Sequence, residues 1–285
     1  MGQSMNLQPD TDNYCVMGNP VGHSLSPLIH TLFARQTGQQ MHYQAIQPEL
    51  DKFQAVLSEF QRSGGKGINI TLPFKQQACE LSDVLTPRAQ RAMAVNTMWF
   101  GDDGKRYGDN TDGAGLVYDL INNHHLQLHA SRILIMGAGG ATRGILAPLL
   151  EQQPQLLAIV NRTRSKAETL CDEFAGPVKL AAFYYDELSG HSFDLLINAT
   201  SASLQGVMPP LPETILADNA CCYDLMYSRQ DTVFMSWARS HAATQIYDGI
   251  GMLVEQAAEA FVQWRGIRPD TSVVIDQLKQ PAAGC

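Results

Sequence analysis

Gly137-Ala138-Gly139-Gly140-Ala141-Thr142 follows the apolar run Arg132-Ile133-Leu134-Ile135-Met136 and precedes a second one, Gly144 to Gln152. Strand, glycine turn and helix in that order are the context of a dinucleotide-binding fingerprint. Gly137 permits the tight turn, and Gly139 lets the backbone approach a pyrophosphate. The helix N-terminus adds unpaired N–H groups and a positive dipole end. The next apolar run, Leu156 to Val160, ends in Asn161-Arg162-Thr163-Arg164-Ser165-Lys166. An NAD site places Asp or Glu there to hold the ribose 2′-hydroxyl. Three cations and two hydroxyls suit a 2′-phosphate instead. Thr142 stands where the strict pattern has its third glycine, so the loop alone is weak. Joined to the basic cluster about twenty residues on, it specifies NADP as cofactor.

These segments need elements to hold them. Upstream, Tyr14–Met17, Tyr43–Ile46 and Gly67–Thr71 read as strands. Leu28–Thr37 and Leu50–Arg62 read as helices, the second with Phe53, Val56, Leu57 and Phe60 on one stripe. Such βα alternation predicts a mostly parallel sheet. Asp109-Asn110-Thr111-Asp112-Gly113 opens a helix over 114–122. Beyond the glycine loop, strands are expected near 178–182, 193–198, 222–225 and 244–247. Ser165 and Glu168 have capping-box spacing for the helix after the basic cluster, and Pro148 predicts a kink in the helix before it. The last apolar stripe uses Met252, Leu253, Ala257, Ala260, Phe261 and Trp264, and its helix is expected to return to the first domain. The fold class is therefore α/β in two domains. Residues 1–112 and 249–285 form a substrate-binding α/β domain, and 113–248 a Rossmann-like NADP-binding domain.

Composition narrows the function. The 285 residues fit one large domain or two ordinary ones, and 45% hydrophobic against 17% charged content supports packed cores over disorder. A net charge of −8 with no long basic run argues against nucleic acid and anionic membrane partners. No apolar stretch approaches the roughly 20 residues of a membrane span. The start lacks an apolar signal region, and Asn6 breaks a myristoylation motif at Gly2. Six cysteines without C-x-x-C spacing point to a reduced cytoplasmic compartment and to no metal site. Monomer and homodimer both stay open.

Several motifs carry a family resemblance. They are Gly22-His23-Ser24-Leu25-Ser26-Pro27, Asn69-Ile70-Thr71-Leu72-Pro73-Phe74-Lys75, Ala94-Val95-Asn96-Thr97 and Gly108-Asp109-Asn110-Thr111-Asp112-Gly113. With the glycine loop, Asn161-Arg162-Thr163, Asn198-Ala199-Thr200-Ser201, Tyr223-Asp224-Leu225-Met226-Tyr227 and Asp248-Gly249-Ile250-Gly251-Met252-Leu253, the chain resembles the shikimate dehydrogenase family from about Tyr14 to the last helix. The resemblance implies reversible NADPH-dependent reduction of 3-dehydroshikimate to shikimate, a cytoplasmic step of aromatic amino-acid biosynthesis. It implies that Ser24 and Ser26 hold the substrate carboxylate, and that Asn69, Thr71, Asn96, Asp112 and Gln256 hold ring hydroxyls. Lys75 would be catalytic beside Asp112. Gly137, Ala138, Gly139, Gly140 and Ala141 would cradle the pyrophosphate, with Asn161, Arg162, Thr163 and Lys166 around the ribose phosphate. Met226, Tyr227, Gly249 and Met252 would lie toward the nicotinamide, Tyr227 also near substrate. One departure is the loop Ala202-Ser203-Leu204-Gln205-Gly206, where the family has a different glycine-bearing loop.

The chemistry of the residues agrees. Hydride transfer to a ketone builds negative charge on oxygen, which needs a proton or a cation in the transition state. Lys75, expected at a strand end, supplies an ammonium, and Asp112 can orient it. A carboxylate beside a lysine raises the lysine's pKa, so either residue could carry the proton. Ser24 and Ser26 alternate by two, and an extended backbone would point both hydroxyls one way. Gln256 lies on an apolar stripe, where an unpaired amide costs about 1–3 kcal/mol, so it is expected to face the ligand. Tyr227 has an apolar ring with a polar tip and serves core and site equally well. Three alternatives remain: a quinate/shikimate dehydrogenase with broader substrate or NAD use, an NADP-binding regulator without turnover, and a Schiff-base lyase built on Lys75.

Overall fold

The computed structural model describes residues 6–200, 206–228, 230–241 and 243–280. Gly2, the segment Ser201 to Gln205 and Cys285 lie outside the described residues. The strands are β1 (Asp12–Met17), β2 (Met41–Ile46), β3 (Gly67–Ile70), β4 (Val84–Leu85), β5 (Thr97–Phe100), β6 (Arg106–Asp109), β7 (Arg132–Met136), β8 (Leu156–Val160), β9 (Leu180–Phe183), β10 (Phe193–Asn198), β11 (Leu216–Asp224) and β12 (Gln245–Tyr247). The helices are α1 (Ser26–Thr37), α2 (Phe53–Arg62), α3 (Lys75–Glu80), α4 (Pro87–Ala92), α5 (Asp112–Tyr118), α6 (Gly140–Glu151), α7 (Arg164–Glu173), α8 (Val233–Ser240), α9 (Ile250–Arg265) and α10 (Thr271–Lys279). They form two compact units, one within Met1–Gly115 and Val254–Cys285, the other within Leu116–Leu253.

In the first unit the sheet order is β2-β1-β3-β5-β6-β4. β1 pairs in parallel with β2 and β3, and β4 with β6, whereas β5 runs antiparallel to both β3 and β6. The β5–β6 hairpin goes beyond what the residue order predicts. It closes on Gly101-Asp102-Asp103-Gly104, where Gly104 takes φ 79° and donates to the Gly101 carbonyl at 2.9 Å. This hairpin pairs Thr97 with Asp109 and so brings two distant motifs side by side. The helix expected from Leu50 starts at Phe53. Its buried stripe is Phe53, Leu57 and Phe60, while Leu50 is 66% exposed. Along β1, Cys15 and Met17 face these phenylalanines, and Tyr14 and Val16 face the other layer. There Trp264 of α9 stacks on Tyr14 at 4.7 Å and donates to the Met98 carbonyl at 3.2 Å. Gly67 is a close-approach position, since a Cβ on it would stand 2.6 Å from the Trp264 indole nitrogen.

The second unit has six parallel strands in the order β12-β11-β10-β7-β8-β9. Counted in chain order within the unit this is 3-2-1-4-5-6, the doubly wound dinucleotide-binding order. Its strands read as near-continuous apolar runs because both faces are covered. Ile133 and Ile135 of β7 enter one core layer, Leu134 and Met136 the other. The neighbours Cys221 and Cys222 likewise fall in opposite layers, both as free thiols. Helix α6 begins at Gly140 and continues through Pro148 to Glu151, although Pro148 supplies no N–H to the carbonyl four residues back. The expected capping box at Ser165 does not form. Helix α7 begins one residue earlier behind Thr163, whose side chain makes no cap bond, and Glu168 accepts from Arg164 Nε at 2.7 Å instead. The helix expected over 114–122 stops at Tyr118 and opens into a π-type turn, Asp119–Asn123.

One buried histidine in the first unit makes stability depend on pH. His30 of α1 is fully buried, stacks on Tyr43 at 4.3 Å and lies 3.2 Å from Asn69 Oδ1 through its Nε2. The Asn69 amide nitrogen points to the Asn96 carbonyl, which can only accept, so the oxygen faces His30 and Tyr43. Nε2 therefore carries the proton, and Nδ1 has no partner. Burial lowers the imidazole from 6.5 to about 3, against a smaller opposing effect of the Asn69 bond. The folded state thus keeps His30 neutral while the unfolded chain protonates below about pH 6.5. Stability from this group is complete above that pH and is lost as pH falls toward the folded value. From pH 7 to pH 5 the wild type should lose about 2 kcal/mol through His30. In His30→Gln that acid dependence should be absent when urea unfolding is followed at both pH values; an equal loss in both proteins would exclude His30 as the source.

Candidate active site

Lys75 and Asp112 meet in the first unit. Their side chains pair at 2.5 Å, Lys75 Nζ to Asp112 Oδ2, with exposures of 24% and 11%. Lys75 is not at the strand end that the motif suggested. The chain leaves β3, passes Thr71-Leu72-Pro73-Phe74 through a cis Leu72–Pro73 bond, and Lys75 opens the short helix α3. Its carbonyl accepts from the Val95 amide at 2.9 Å, which ties α3 to the segment carrying Asn96. Asp112 opens α5, and its amide donates to Asn110 Oδ1 at 3.2 Å.

Asn96 holds the pair in place. Its Nδ2 lies 2.8 Å from Asp112 Oδ1, 3.0 Å from Thr111 Oγ1 and 3.2 Å from Gln256 Oε1. Its Oδ1 accepts from the Thr111 amide at 2.8 Å and from the Thr97 hydroxyl at 3.0 Å. Asn96 is 2% exposed and Asn69 6%. The Asn69 amide is committed too, its oxygen to Tyr43 and His30, its nitrogen to the Asn96 carbonyl and Thr97 Oγ1. Both residues were expected as ring-hydroxyl ligands, and both spend their amides inside the protein. Gln256, half-buried on α9, joins this network through the Asn96 and Thr111 contacts. A Cβ on Gly115 would stand 2.5 Å from the Gln256 amide nitrogen, so helices α5 and α9 touch there backbone to backbone.

Ser24 and Ser26 converge, but not through an extended backbone. Leu25 between them is right-handed helical (φ −81°, ψ −8°), and the two hydroxyls lie 3.2 Å apart at the start of α1. Thr71 is partly buried, with its methyl packed where a side chain on Gly18 would be. Tyr227 lies in the second unit, unlike the other expected substrate residues; it is partly buried, and burial raises its phenol pKa.

Two ion pairs behind the site were not anticipated. Arg88 of α4 binds the fully buried Asp109 through Nε and Nη2, at 2.7 and 2.5 Å. Arg268 binds Glu255, also fully buried, at 2.8 Å. Asp109 was visible inside the Asp109-Asn110-Thr111-Asp112 motif, but nothing local distinguishes its inward side chain from that of Asp112. Glu255 lies beside Gln256 on a helix whose apolar stripe gave no reason to bury a carboxylate.

In the second unit the glycine loop and the basic cluster sit at the carboxyl ends of neighbouring strands, with Met136 of β7 in register with Val160 of β8. Gly137 takes φ +105°, a conformation that disfavours any side chain. A Cβ there would also stand 3.1 Å from the Ala199 carbonyl, where the β7 and β10 loops meet at the switch in strand order. A Cβ on Gly139 or Gly140 would meet only open space, and Gly139 caps α6 without a side-chain bond. Bare first-turn amides beside open space fit a pyrophosphate. Asn161 Nδ2 donates to the Thr163 carbonyl at 2.8 Å and shapes the next turn. Arg162 and Lys166 are exposed and make no ion pair among the described residues. Arg164 is spent on Glu168 and Glu187 and lies 4.9 Å over the Tyr184 ring, so only two of the three cations are available to an anion. The residues fit a 2′-phosphorylated dinucleotide.

Toward the other end, Met226 donates its amide to the buried carboxylate of Asp224 at 3.1 Å, and its carbonyl accepts from Gly249 at 3.1 Å. Asp224 also accepts from Asn198 at 3.1 Å and Thr232 at 2.6 Å. Gly249 has no room for a side chain, since a Cβ would stand 2.2 Å from the Leu225 carbonyl. Met252 lies in the first turn of α9. Among the described residues there is no cluster of three or more metal-binding side chains and no helix long and apolar enough to cross a membrane.

Known proteins match over both units. Residues 16–98 match the shikimate dehydrogenase substrate-binding domain, 119–211 match shikimate/quinate 5-dehydrogenase, and 249–279 match the shikimate 5′-dehydrogenase C-terminal domain. Shikimate dehydrogenase (NADP(+)) of Aeromonas salmonicida is 55% identical over 269 residues, covering 94% of this chain and 98% of that protein. The structure of an Ael1 enzyme from Pseudomonas putida superposes with a TM-score of 0.91 at 47% identity, covering 95% of this chain and 99% of that one. Shikimate 5-dehydrogenase from Thermus thermophilus, solved in complex with NADP(H) and shikimate, gives 0.83 at 31% identity, covering 93% and 98%. With a half-buried lysine–aspartate pair in one unit, a bare glycine cradle in the other, and relatives matching nearly end to end, the chain belongs to the shikimate dehydrogenase family.

Proposed function

We propose that this chain catalyses the reversible NADPH-dependent reduction of 3-dehydroshikimate to shikimate, in the cytoplasm. The observation that carries the reading is the Lys75–Asp112 pair, with Asp112 held by Asn96, inside the unit that matches the family's substrate-binding domain. Free cysteines at every described position support a reduced compartment. The chain would act as a monomer or a homodimer.

When bound, NADPH supplies a hydride to the ring carbonyl carbon. The chain's residues do the rest. Ser24 and Ser26 offer two adjacent hydroxyls to the substrate carboxylate. Thr71 and Gln256 bind ring hydroxyls, and Asn69 and Asn96 act on them only by sharing bonds they already make. Tyr227 offers its phenol to the substrate. The Lys75 ammonium stabilises the negative charge that grows on the carbonyl oxygen. Its partner Asp112 orients it, and the oxygen gains its proton from this pair; in the oxidation direction the pair takes the proton back. Arg162 and Lys166 bind the 2′-phosphate, with Asn161 and Thr163 shaping the turn, and Gly137 to Ala141 cradle the pyrophosphate.

Steady-state oxidation of shikimate with NADP, with quinate and NAD as controls, tests the assignment. A preference for quinate, which one matching family description also names, would move the chain to the broader dehydrogenase; no shikimate-dependent absorbance change would refute it. Lys75→Ala should lower kcat by about 10²–10⁴-fold while NADPH affinity stays within twofold of wild type, to a rough estimate, because the substitution removes acid–base chemistry and leaves the nucleotide residues intact. Near-normal turnover would remove Lys75 from the chemistry. Arg162→Ala should raise the KM for NADP roughly tenfold or more and leave that for NAD unchanged; equal losses for both coenzymes would contradict a 2′-phosphate contact.

A further inference from the structure

A second buried carboxylate in the nucleotide unit has no part in the site described above. Asp119, the first residue of the π-type turn, is 1% exposed. It accepts from the Tyr223 hydroxyl at 2.7 Å and from Asn123 Nδ2 at 2.8 Å, and His124 Nε2 lies 3.3 Å from its Oδ2. Burial alone would raise this carboxyl, but the bonds from His124, Tyr223 and Asn123 outweigh it and hold the group below its ordinary pKa. His124 itself stacks on Tyr247 of β12 at 3.5 Å and covers the carboxylate from outside. A buried charge is costly unless paired, and apolar packing would stabilise the unit as well or better. Its retention calls for a use.

That use lies one bond further on. Tyr223 is fully buried on β11, and its hydroxyl oxygen accepts from the Met252 amide at 3.2 Å. Burial, followed by the neighbouring Asp119 charge, pushes the phenol well above its ordinary pKa, so it stays protonated and always donates to Asp119. Its lone pair is thereby left for Met252. Met252 is the third residue of α9, in the turn whose amides have no acceptor within the helix. The Ile250 amide is taken by Asp248 Oδ1 at 3.3 Å. The Met252 amide is capped instead by a phenol from the sheet. The fit is close, because a Cβ on Gly251 would stand 2.0 Å from Asp119 Oδ1. Carboxylate, phenol and helix turn form one unbroken contact.

We infer that Asp119 and Tyr223 are positioning residues, in which the carboxylate orients the phenol and the phenol holds the Met252 turn where it borders the nicotinamide end of the cofactor. This rests on the NADP reading above and on the family resemblance, which implies that Gly249 and Met252 lie toward that end. Both side chains are buried, Asp119 at 1% exposure and Tyr223 fully, so neither is presented to a ligand. They act through the backbone of α9, while Asp224 does the same for the Met226 segment.

Tyr223→Phe in the full chain tests this, because it keeps the ring and removes the hydroxyl. Amide hydrogen exchange, measured without cofactor, should speed up about tenfold at Met252 and its neighbours and stay unchanged in β7 and β8, by a rough estimate from the loss of one bond. NADPH should bind roughly tenfold more weakly, while 2′,5′-ADP, which lacks the nicotinamide, binds as to wild type. Unchanged exchange at Met252, or equal losses for NADPH and 2′,5′-ADP, would overturn the inference. Should Tyr223→Phe fail to fold, Asp119→Asn keeps an acceptor for the phenol but removes the charge. It should show the same split at about threefold; unsplit binding there would overturn the inference equally. A wild-type protein that neither binds NADPH nor oxidises shikimate would refute the NADP reading itself, and the cofactor-free exchange measurement would still decide the contact.

Discussion

The first unit turns on one buried amide. Asn96 reaches Asp112, Thr111 and Gln256 with its nitrogen and Thr97 and Thr111 with its oxygen, so two segments far away in sequence are joined to its own. A buried amide with every position filled is rigid, because breaking any of these bonds leaves a polar group unpaired in a low-dielectric interior. Asp112 is held by this network on one oxygen and by Lys75 on the other. The position of the ammonium therefore depends on an asparagine that hardly sees solvent. The Arg88–Asp109 and Arg268–Glu255 pairs extend the same logic outward, each giving a buried carboxylate a guanidinium partner.

The nucleotide unit uses its buried polar groups differently. Its six parallel strands are largely apolar on both faces, and the buried polar side chains Asn198 and Asp224 stand at the ends of β10 and β11. Among the described residues its buried carboxylates are Asp224, under the Met226 segment, and Asp119, under the first turn of α9. The glycine loop, proposed to hold the pyrophosphate, is built by the opposite means. There the glycine loop leaves amides bare and space open, so the binding groups are the backbone itself. In the proposed cofactor site, one end leaves backbone donors to the ligand and the other satisfies them from below.

Much of this was legible in the residue order. The parallel nucleotide sheet followed from apolar runs separated by helical periods, and the glycine loop from Gly137 and Gly139 at a strand-to-helix junction. Other features escaped for identifiable reasons. The β5–β6 hairpin has strands of four residues each, too short for a period, and its turn looks like any polar loop. The capping-box spacing at Ser165 lost to an ion pair, because Glu168 had a guanidinium one helical turn away. Ser24 and Ser26 alternate as in a strand, yet Leu25 is helical because it caps α1, which starts at Ser26 with Pro27 in its first turn. Among three cations after β8, only the fold shows that Arg164 is already claimed by Glu168 and Glu187.

The sequence by itself determined which chemistry the chain can hold: a lysine, a carboxylate and paired hydroxyls in one half, a glycine turn and cations without an acid in the other. Those properties reside in residue type and short spacing, which local order carries completely. Tertiary structure alone decided which polar groups work on a ligand and which work on one another. Asn69, Asn96, Asp109, Asp119 and Glu255 look like their exposed counterparts in the chain, and their roles arise only when folding removes water and leaves each amide or carboxylate to the partners that remain within reach.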